Sequence, residues 1–394
     1  MNKSVIVRGP LLTKSGYGTH SRQIFDFLDK NYNELYVQTL PWGITSWNLN
    51  TNNKQINSII RKTQPVSKKA NVSVQIQLPN EWDTSIAHYN IGVTAAVEAD
   101  RMNPKWVECC EKMNALIVPS NFTKQVLINS GVKNKNLFVI GEHYHESFNK
   151  YIKNDKVNYN ISSSIDNLST KFNFILFGQL TGHTPISDRK NIFNTIKVFC
   201  DTFKDNKDVG LIIKTNLGKN TSSDRVKTEN IIQNVLSEVK SGDFPKIHLI
   251  HGDLNELEKW TLLNHDSVKA FVTLTRGEGF GIPGLEFSLT GKPIFATNWS
   301  GHLDYLKNFI KINYSMVPVH FSKVDGEVYL NGFKWAEPDY ENFSREIKLF
   351  YNKPEMYKNC SNKQYSFDNF NKNKIQSRYK SVFKKLGILN WYTV

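Results

Sequence analysis

Ala270-Phe271-Val272-Thr273-Leu274-Thr275-Arg276-Gly277-Glu278-Gly279-Phe280-Gly281-Ile282-Pro283-Gly284-Leu285-Glu286 is an apolar run, then a glycine-rich turn, then a helix start. The unbroken apolar run Ala270–Leu274 fits a parallel strand buried on both faces. Pro283 suits a first helical turn, where its missing N–H costs nothing. The amides of Phe280, Gly281 and Ile282 would then head the helix as an anion site. In an open α/β sheet this is the strand's C-terminal edge, where ligands bind. Glu278 and Glu286 flank that site, so the pattern suits a phosphorylated polyol: amides for the phosphates, carboxylates for the hydroxyls. The bland rival is a glycine-rich turn with Glu278 exposed and Glu286 on a solvated helix face.

The same rhythm extends in both directions. Strands are expected at residues 3–7, 35–40, 71–78, 115–118 and 137–140, then at 172–177, 210–214, 247–251, 270–275 and 293–297. Helical patterns lie between many of them: one from Thr19 after a glycine loop (Ser15-Gly16-Tyr17-Gly18), one from Ser120 as N-cap, and others at 191–203, 224–240, 255–263 and 283–290. Strand and helix alternating over both halves means α/β architecture with doubly wound sheets. Residues 146–171, rich in Asn, Ser, Lys and Asp, read as a linker or surface excursion. The expected domains are 1–165, 172–365 and a basic helical tail at 366–394. No internal repeat is visible.

The chain has 394 residues, 39% hydrophobic, enough for two cores and too many for a disordered or fibrous protein. No apolar stretch spans a membrane, and Val5–Val7 is too short for a signal peptide. Four cysteines without CxxC spacing fit a reduced, cytoplasmic setting. The formal charge is +14, yet only 9 of the 50 basic residues are Arg, which suggests lysine-rich drift more than a dedicated phosphate reader. Residues 51–70 hold Lys54, Arg61, Lys62, Lys68 and Lys69 with no acid, and Ile56, Ile59 and Ile60 would form an apolar stripe on a helix. Residues 350–394 carry nine basic and two acidic residues, half of the excess.

Glu278-Gly279-Phe280-Gly281-Ile282-Pro283 through Glu286, with Gly291-Lys292-Pro293 and Ser300-Gly301, resembles the signature of the retaining "group 1" (family 4-like) nucleotide-sugar glycosyltransferases. Arg189-Lys190-Asn191, Lys214, Thr94 through Arg101, Pro104-Lys105-Trp106, Ser15–Gly18 and Trp335–Asp339 resemble other segments of that family in colinear order. The resemblance implies the GT-B fold: two facing Rossmann-like domains with an interdomain cleft, the first binding the acceptor and the second the nucleotide-sugar, with the tail returning onto the first. It implies that Glu278 lies at the donor sugar near the reacting carbon and that Glu286 holds the ribose hydroxyls. It gives Arg189 and Lys214 to the diphosphate, with the backbone of Gly279, Phe280, Gly281 and Ile282. It lets Gly16 and Gly18 admit the donor, and places Glu98 among the catalytic candidates. Arg189 ranks ahead of Lys190, whose bland role is a solvated neighbour. Arg276 stands where a small polar residue is expected.

The implied enzyme is a retaining hexosyl- or related transferase, with a UDP-sugar as donor, a GDP-sugar second, and no cofactor. No DxD motif is placed for a metal, so transfer is expected without one. His143 and His145 fall on one face of an extended segment but lack a third metal ligand. The acceptor is a hydroxyl on a glycan, glycolipid or glycoprotein. Alternatives are a phage-type transferase acting on hydroxymethylated DNA bases, with nucleic acid as partner, and a non-catalytic nucleotide-sugar-binding protein. The basic regions raise peripheral contact with an anionic membrane, at the inner face.

Overall fold

The computed structural model describes residues 3–65, 68–182, 184–240 and 242–389. They form two compact units, 1–143 with 325–333 and 372–394, and 144–324 with 334–371. Residues 66 and 67 of the basic region, residue 183 of the loop before Arg189, and the last five tail residues lie outside the described set.

The first unit contains β1 (Val5–Gly9), α1 (Gly16–Asn31), β2 (Leu35–Thr39), α2 (Lys54–Lys62), β3 (Ala70–Ile76), β4 (Ala87–Val93), α3 (Pro104–Glu111), β5 (Ala115–Val118), α4 (Asn121–Asn129) and β6 (Leu137–Val139). Its sheet is parallel, in the order β2-β1-β3-β4-β5-β6. Ser120 caps α4, its hydroxyl accepting from the Thr123 amide. The expected glycine loop is instead the first turn of α1, because Ser15 already caps it by accepting from Gly18 N at 2.9 Å. β4 escapes the strand pattern because it carries His88 and Asn90. Asn90 is tolerated in the sheet because Ser73, Thr84 and Ala87 satisfy its amide.

The second unit contains α5 (Ser147–Asn154), α6 (Tyr159–Asp166), β7 (Phe172–Phe177), α7 (Ile192–Thr202), β8 (Val209–Thr215), α8 (Ser222–Val239), β9 (Lys246–His251), α9 (Glu256–Asn264), β10 (Val268–Thr273), α10 (Ile282–Ser288), β11 (Ile294–Thr297), β12 (Ile310–Ile312), the hairpin strands β13 (Tyr314–Pro318) and β14 (Lys334–Pro338), α11 (Tyr340–Asn352) and α12 (Lys363–Asn369). Its main sheet is parallel, in the order β12-β11-β10-β7-β8-β9. Phe174, Phe199, Phe203, Phe295 and Phe350 interlock under it at ring-centroid distances of 5.0–6.1 Å. β10 stands mid-sheet, which explains its continuous apolar run.

Two boundaries differ from the sequence reading. The division falls after His143 and not near 165: residues 147–166 form α5 and α6 of the second unit, where Phe148 is buried against Trp260 at 5.3 Å. Their apolar residues are too few for a visible period, yet they are spent on one neighbour, α9. The tail also divides later than 366. α12 belongs to the second unit, and α13 (Lys372–Lys385) belongs to the first. There Phe383 packs on Phe27 at 5.1 Å, Tyr379 Oη meets His20 Nε2 at 3.1 Å, and Lys372 pairs with Asp26 at 2.8 Å. Lys374, Lys380, Lys384 and Lys385 lie on the exposed face of α13. Among the described residues, no helix is long and apolar enough to cross a membrane.

Candidate active site

The loop between β7 and α7 is built around Asp188, which the sequence reading passed over. Its buried carboxylate accepts from Ile192 N (2.7 Å), Thr181 Oγ1 (2.7 Å) and Lys190 N (3.2 Å). Asn191 adopts a left-handed φ of +57° and ties its side-chain amide to Leu274 O at 3.0 Å. These constraints aim the two cations before α7 at the turn after β10. The Arg189 guanidinium donates to the Gly277 carbonyl. The Lys190 ammonium pairs with the Glu278 carboxylate, and both line a pocket with Gly281, Gly284, His302 and Tyr305. The sequence ranking put Arg189 first; the side chain on Glu278 is that of Lys190.

Glu278 is largely buried. Burial alone would raise its carboxyl, but Lys190 and Arg189 outweigh it and hold the group below the ordinary carboxylate range. Its backbone carbonyl accepts from Gly301 N at 2.8 Å. The preceding Ser300 has φ +89° and ψ −168°, a region that non-glycine residues enter only under constraint. Burial depresses the His302 imidazole, so it is neutral near pH 7. Its Nε2–H donates to Thr297 O at 2.7 Å, which leaves Nδ1 as an acceptor. Gly281, with φ +91°, turns the chain into α10, and its carbonyl accepts from Tyr305 Oη at 2.6 Å. Phe280 is buried against Tyr305 and Phe370.

A second charged group lies along the same sheet edge. Lys214 is the next-to-last residue of β8, is buried, and sits 5.1 Å over the ring of Phe177, the last residue of β7. Burial lowers its ammonium to about 8, against the pull of Asp253. Glu286 is only 3% exposed, so it does not occupy a solvated helix face. Lys259 of α9 lies 3.0 and 2.9 Å from its two carboxylate oxygens and 2.9 Å from Glu256. The His145 amide also donates to Glu286. Burial pushes the Glu286 carboxyl up to about 7, with Lys259 opposing and Glu256 reinforcing. Phe177 joins the two groups, since it also lines the Glu278 pocket. Lys259 was missed because nothing in its sequence context distinguishes it from a surface helix lysine.

Arg276 does not point into this pocket. It is buried, with Nε 2.5 Å and Nη2 3.0 Å from the two Glu337 oxygens, and Nη1 donates to Pro185 O and Asp188 O. It therefore fastens three segments behind the site: the loop before Arg189, the turn after β10, and β14.

The remaining candidates belong to the first unit. Gly18 is required by close packing, since a Cβ there would lie 2.2 Å from Thr13 O, whereas Gly16 borders open space. Tyr17 between them stacks on Trp42 at 4.0 Å and bonds Thr94 Oγ1 (3.1 Å) and Ala95 N (2.9 Å). This joins the glycine turn to the segment holding Glu98. Burial raises the Tyr17 phenol and the Glu98 charge adds to it. Ala96 has φ +52°, strain at the segment's midpoint. His143 exchanges backbone bonds with Gln23, and His145 lies in the second unit.

No family model matches the sequence, and comparison with curated proteins finds no match. Solved structures do match in fold. HepE of Anabaena, in complex with UDP-glucose, superposes with a TM-score of 0.63 at 11% identity, over 98% of this chain and 100% of that one. A UDP-forming α,α-trehalose-phosphate synthase from Burkholderia xenovorans gives 0.66 at 8% identity, over 98% and 100%. Sucrose-phosphate synthase of Thermosynechococcus elongatus gives 0.61 at 10%, over 98% and 99%. The chain has the GT-B fold, an α/β architecture of two Rossmann-like domains.

Proposed function

We propose that the protein is a glycosyltransferase that moves a sugar from a nucleotide-diphosphate donor, UDP first, to a hydroxyl acceptor. The observation that carries this is Glu278 held ionised by Lys190 and Arg189 in a pocket at the C-terminal edge of the second parallel sheet, the ligand edge of such sheets. The fold likeness to proteins solved with UDP and UDP-glucose supports the donor class.

In this reading the diphosphate lies on the amides of Gly279–Ile282 and on Lys190, Arg189 and Lys214. Breaking the bond from anomeric carbon to phosphate leaves positive charge on the sugar and negative charge on UDP. The cations stabilise the leaving group electrostatically, in place of a divalent metal. Glu278 faces the cationic sugar, and Glu286 accepts from the ribose hydroxyls. Transfer is retaining: the acceptor hydroxyl attacks on the face the diphosphate leaves, and a phosphate oxygen takes its proton. The first unit reads the acceptor, its Gly16–Gly18 turn admits the donor, and Glu98 is its catalytic candidate. The reading places the enzyme in the cytoplasm, as the four free cysteines suggest.

The test is a thermal-shift screen of nucleotide-sugars, followed by transfer of labelled sugar from the stabilising donor in EDTA. Stabilisation by UDP-sugars and undiminished transfer in EDTA are expected. No stabilisation by any nucleotide-sugar sinks the function, and EDTA loss rescued by Mn²⁺ sinks the metal-free route. Glu286→Ala is expected to weaken UDP binding by about tenfold, roughly 1.4 kcal/mol; unchanged affinity removes Glu286 from the ribose.

The pH dependence has a definite sign. A diphosphate favours the charged form of Lys214, so binding takes up a proton once the free ammonium begins to titrate near 8. UDP affinity should be flat below that pH and fall above it. Lys214→Arg, charged throughout, should hold its affinity to pH 9. Titration calorimetry from pH 7 to 9 decides this, and parallel curves for the two proteins would remove Lys214 from the diphosphate.

A further inference from the structure

From Leu35 to Asn80 the chain contains no Asp or Glu, while it carries Lys54, Arg61, Lys62, Lys68 and Lys69. The apolar stripe expected on α2 is spent inside the first unit: Ile56 and Ile59 are fully buried, and the helix turns Lys54 and Arg61 outward. Yet the loop leading into α2 exposes three large apolar side chains, Ile44 (62%), Trp47 (41%) and Leu49 (60%). One such side chain is ordinary on a surface, but three within six residues of one loop mark a contact surface.

The loop is fastened from below. Trp47 bridges to Thr13, Lys14 N donates to Ser46 O at 2.8 Å, and Asn48 N donates to Leu12 O at 2.6 Å. Trp42 stacks on Tyr17. The apolar tip is therefore presented at little ordering cost on contact.

We propose that this loop and the outer face of α2 dock the protein on an anionic lipid surface. The Ile44, Trp47 and Leu49 side chains enter the headgroup boundary while Lys54, Arg61, Lys68 and Lys69 meet the lipid charges. The span supplies the charge complementarity, because the two α1 acids beside α2 are already paired, Asp29 with Lys62 at 3.1 Å and Asp26 with Lys372 at 2.8 Å, which leaves Lys54, Arg61, Lys68 and Lys69 in excess. A phosphate backbone would engage the cations but gain nothing from Ile44 and Leu49, so nucleic acid fits the apolar tip poorly. This inference stands apart from the donor assignment, because none of its residues lies in the second unit.

The test is co-sedimentation of the full chain with phosphatidylcholine vesicles and with vesicles half phosphatidylglycerol, at low and high salt. At least tenfold stronger binding to the anionic vesicles is expected, weakened by salt, by Lys54→Glu with Arg61→Glu, and by Ile44→Ser with Leu49→Ser. The last pair is exposed, and an unchanged thermal midpoint will show that it folds. No pelleting overturns the proposal, as does equal binding to neutral vesicles. Anionic binding that survives Ile44→Ser with Leu49→Ser also overturns it, and equal binding to duplex DNA would then assign the patch to nucleic acid.

Discussion

Glu278→Gln is expected to lower kcat by about a hundredfold to a thousandfold while UDP still binds. The substitution keeps the side chain's size and removes one charge. That charge is preset: Lys190 and Arg189 keep the carboxylate ionised despite its burial. A fixed charge aimed at a charge that develops in the transition state is worth about 3–4 kcal/mol, because it needs no reorganisation during the reaction. The diphosphate gains nothing from Glu278, and an unpaired Lys190 is freer to meet it, so UDP affinity should hold or rise. The backbone role of Glu278, accepting from Gly301, is untouched. Stopped-time transfer assays with calorimetric UDP titration separate the two quantities. A kcat within threefold of the parent would take Glu278 out of the chemistry, and a parallel loss of UDP binding would make it a donor-binding residue.

How far the sequence could be read is clearest along β10 and its turn. An apolar run, three glycines and Pro283 have few alternative local structures, so strand, turn and helix all lie where their residue types require. The same clarity fails at residues 147–166, where a few apolar side chains serve one neighbouring helix. It fails again at β4, whose Asn90 is acceptable only because of partners on β3 and in the preceding loop.

The site divides in the same way. Glu278, Glu286 and Lys214 could be singled out as candidates because each sits at a fixed offset from a strand end or a helix start. Asp188, Lys259 and His302 could not, because their roles come from tertiary neighbours: buried amides, a carboxylate on another helix, a carbonyl five residues back. The choice between Arg189 and Lys190 also turned on geometry. The left-handed Asn191 and the Asp188 bonds decide which side chain reaches Glu278, and neither is a property of residue type alone. Arg276 shows the converse, since an unusual residue at a motif position proved to be a strut to Glu337 behind the pocket.

Lys259→Met is expected to destabilise the protein by about 3–5 kcal/mol, the usual cost of removing one member of a buried ion pair. Lys259 is the cation shared by Glu286 and Glu256, at 2.9–3.0 Å from each. Methionine fills much of the volume but leaves the buried Glu286 carboxylate without its cation, with the part-exposed Glu256 adding like charge. Glu286 then folds protonated, whereas in the unfolded chain it ionises above about 4.3. The sign follows: a carboxyl whose pKa is raised on folding costs little below its unfolded value and progressively more as pH rises. The parent's Glu286 is itself raised to about 7, so the two proteins run parallel below that pH and the deficit should widen only from about pH 7 towards pH 9, as read from urea midpoints. Adding Glu286→Gln removes the uncompensated charge, so the double variant should regain at least 2 kcal/mol of the loss, a coupling typical of contacting charged residues. A flat pH dependence or additive effects would mean that Lys259 acts by packing alone. If the coupling holds, Glu286 owes its charge to Lys259. A carboxylate meant to accept from ribose hydroxyls is then kept partly ionised near pH 7 in a nearly dry site by a lysine that need not touch the donor.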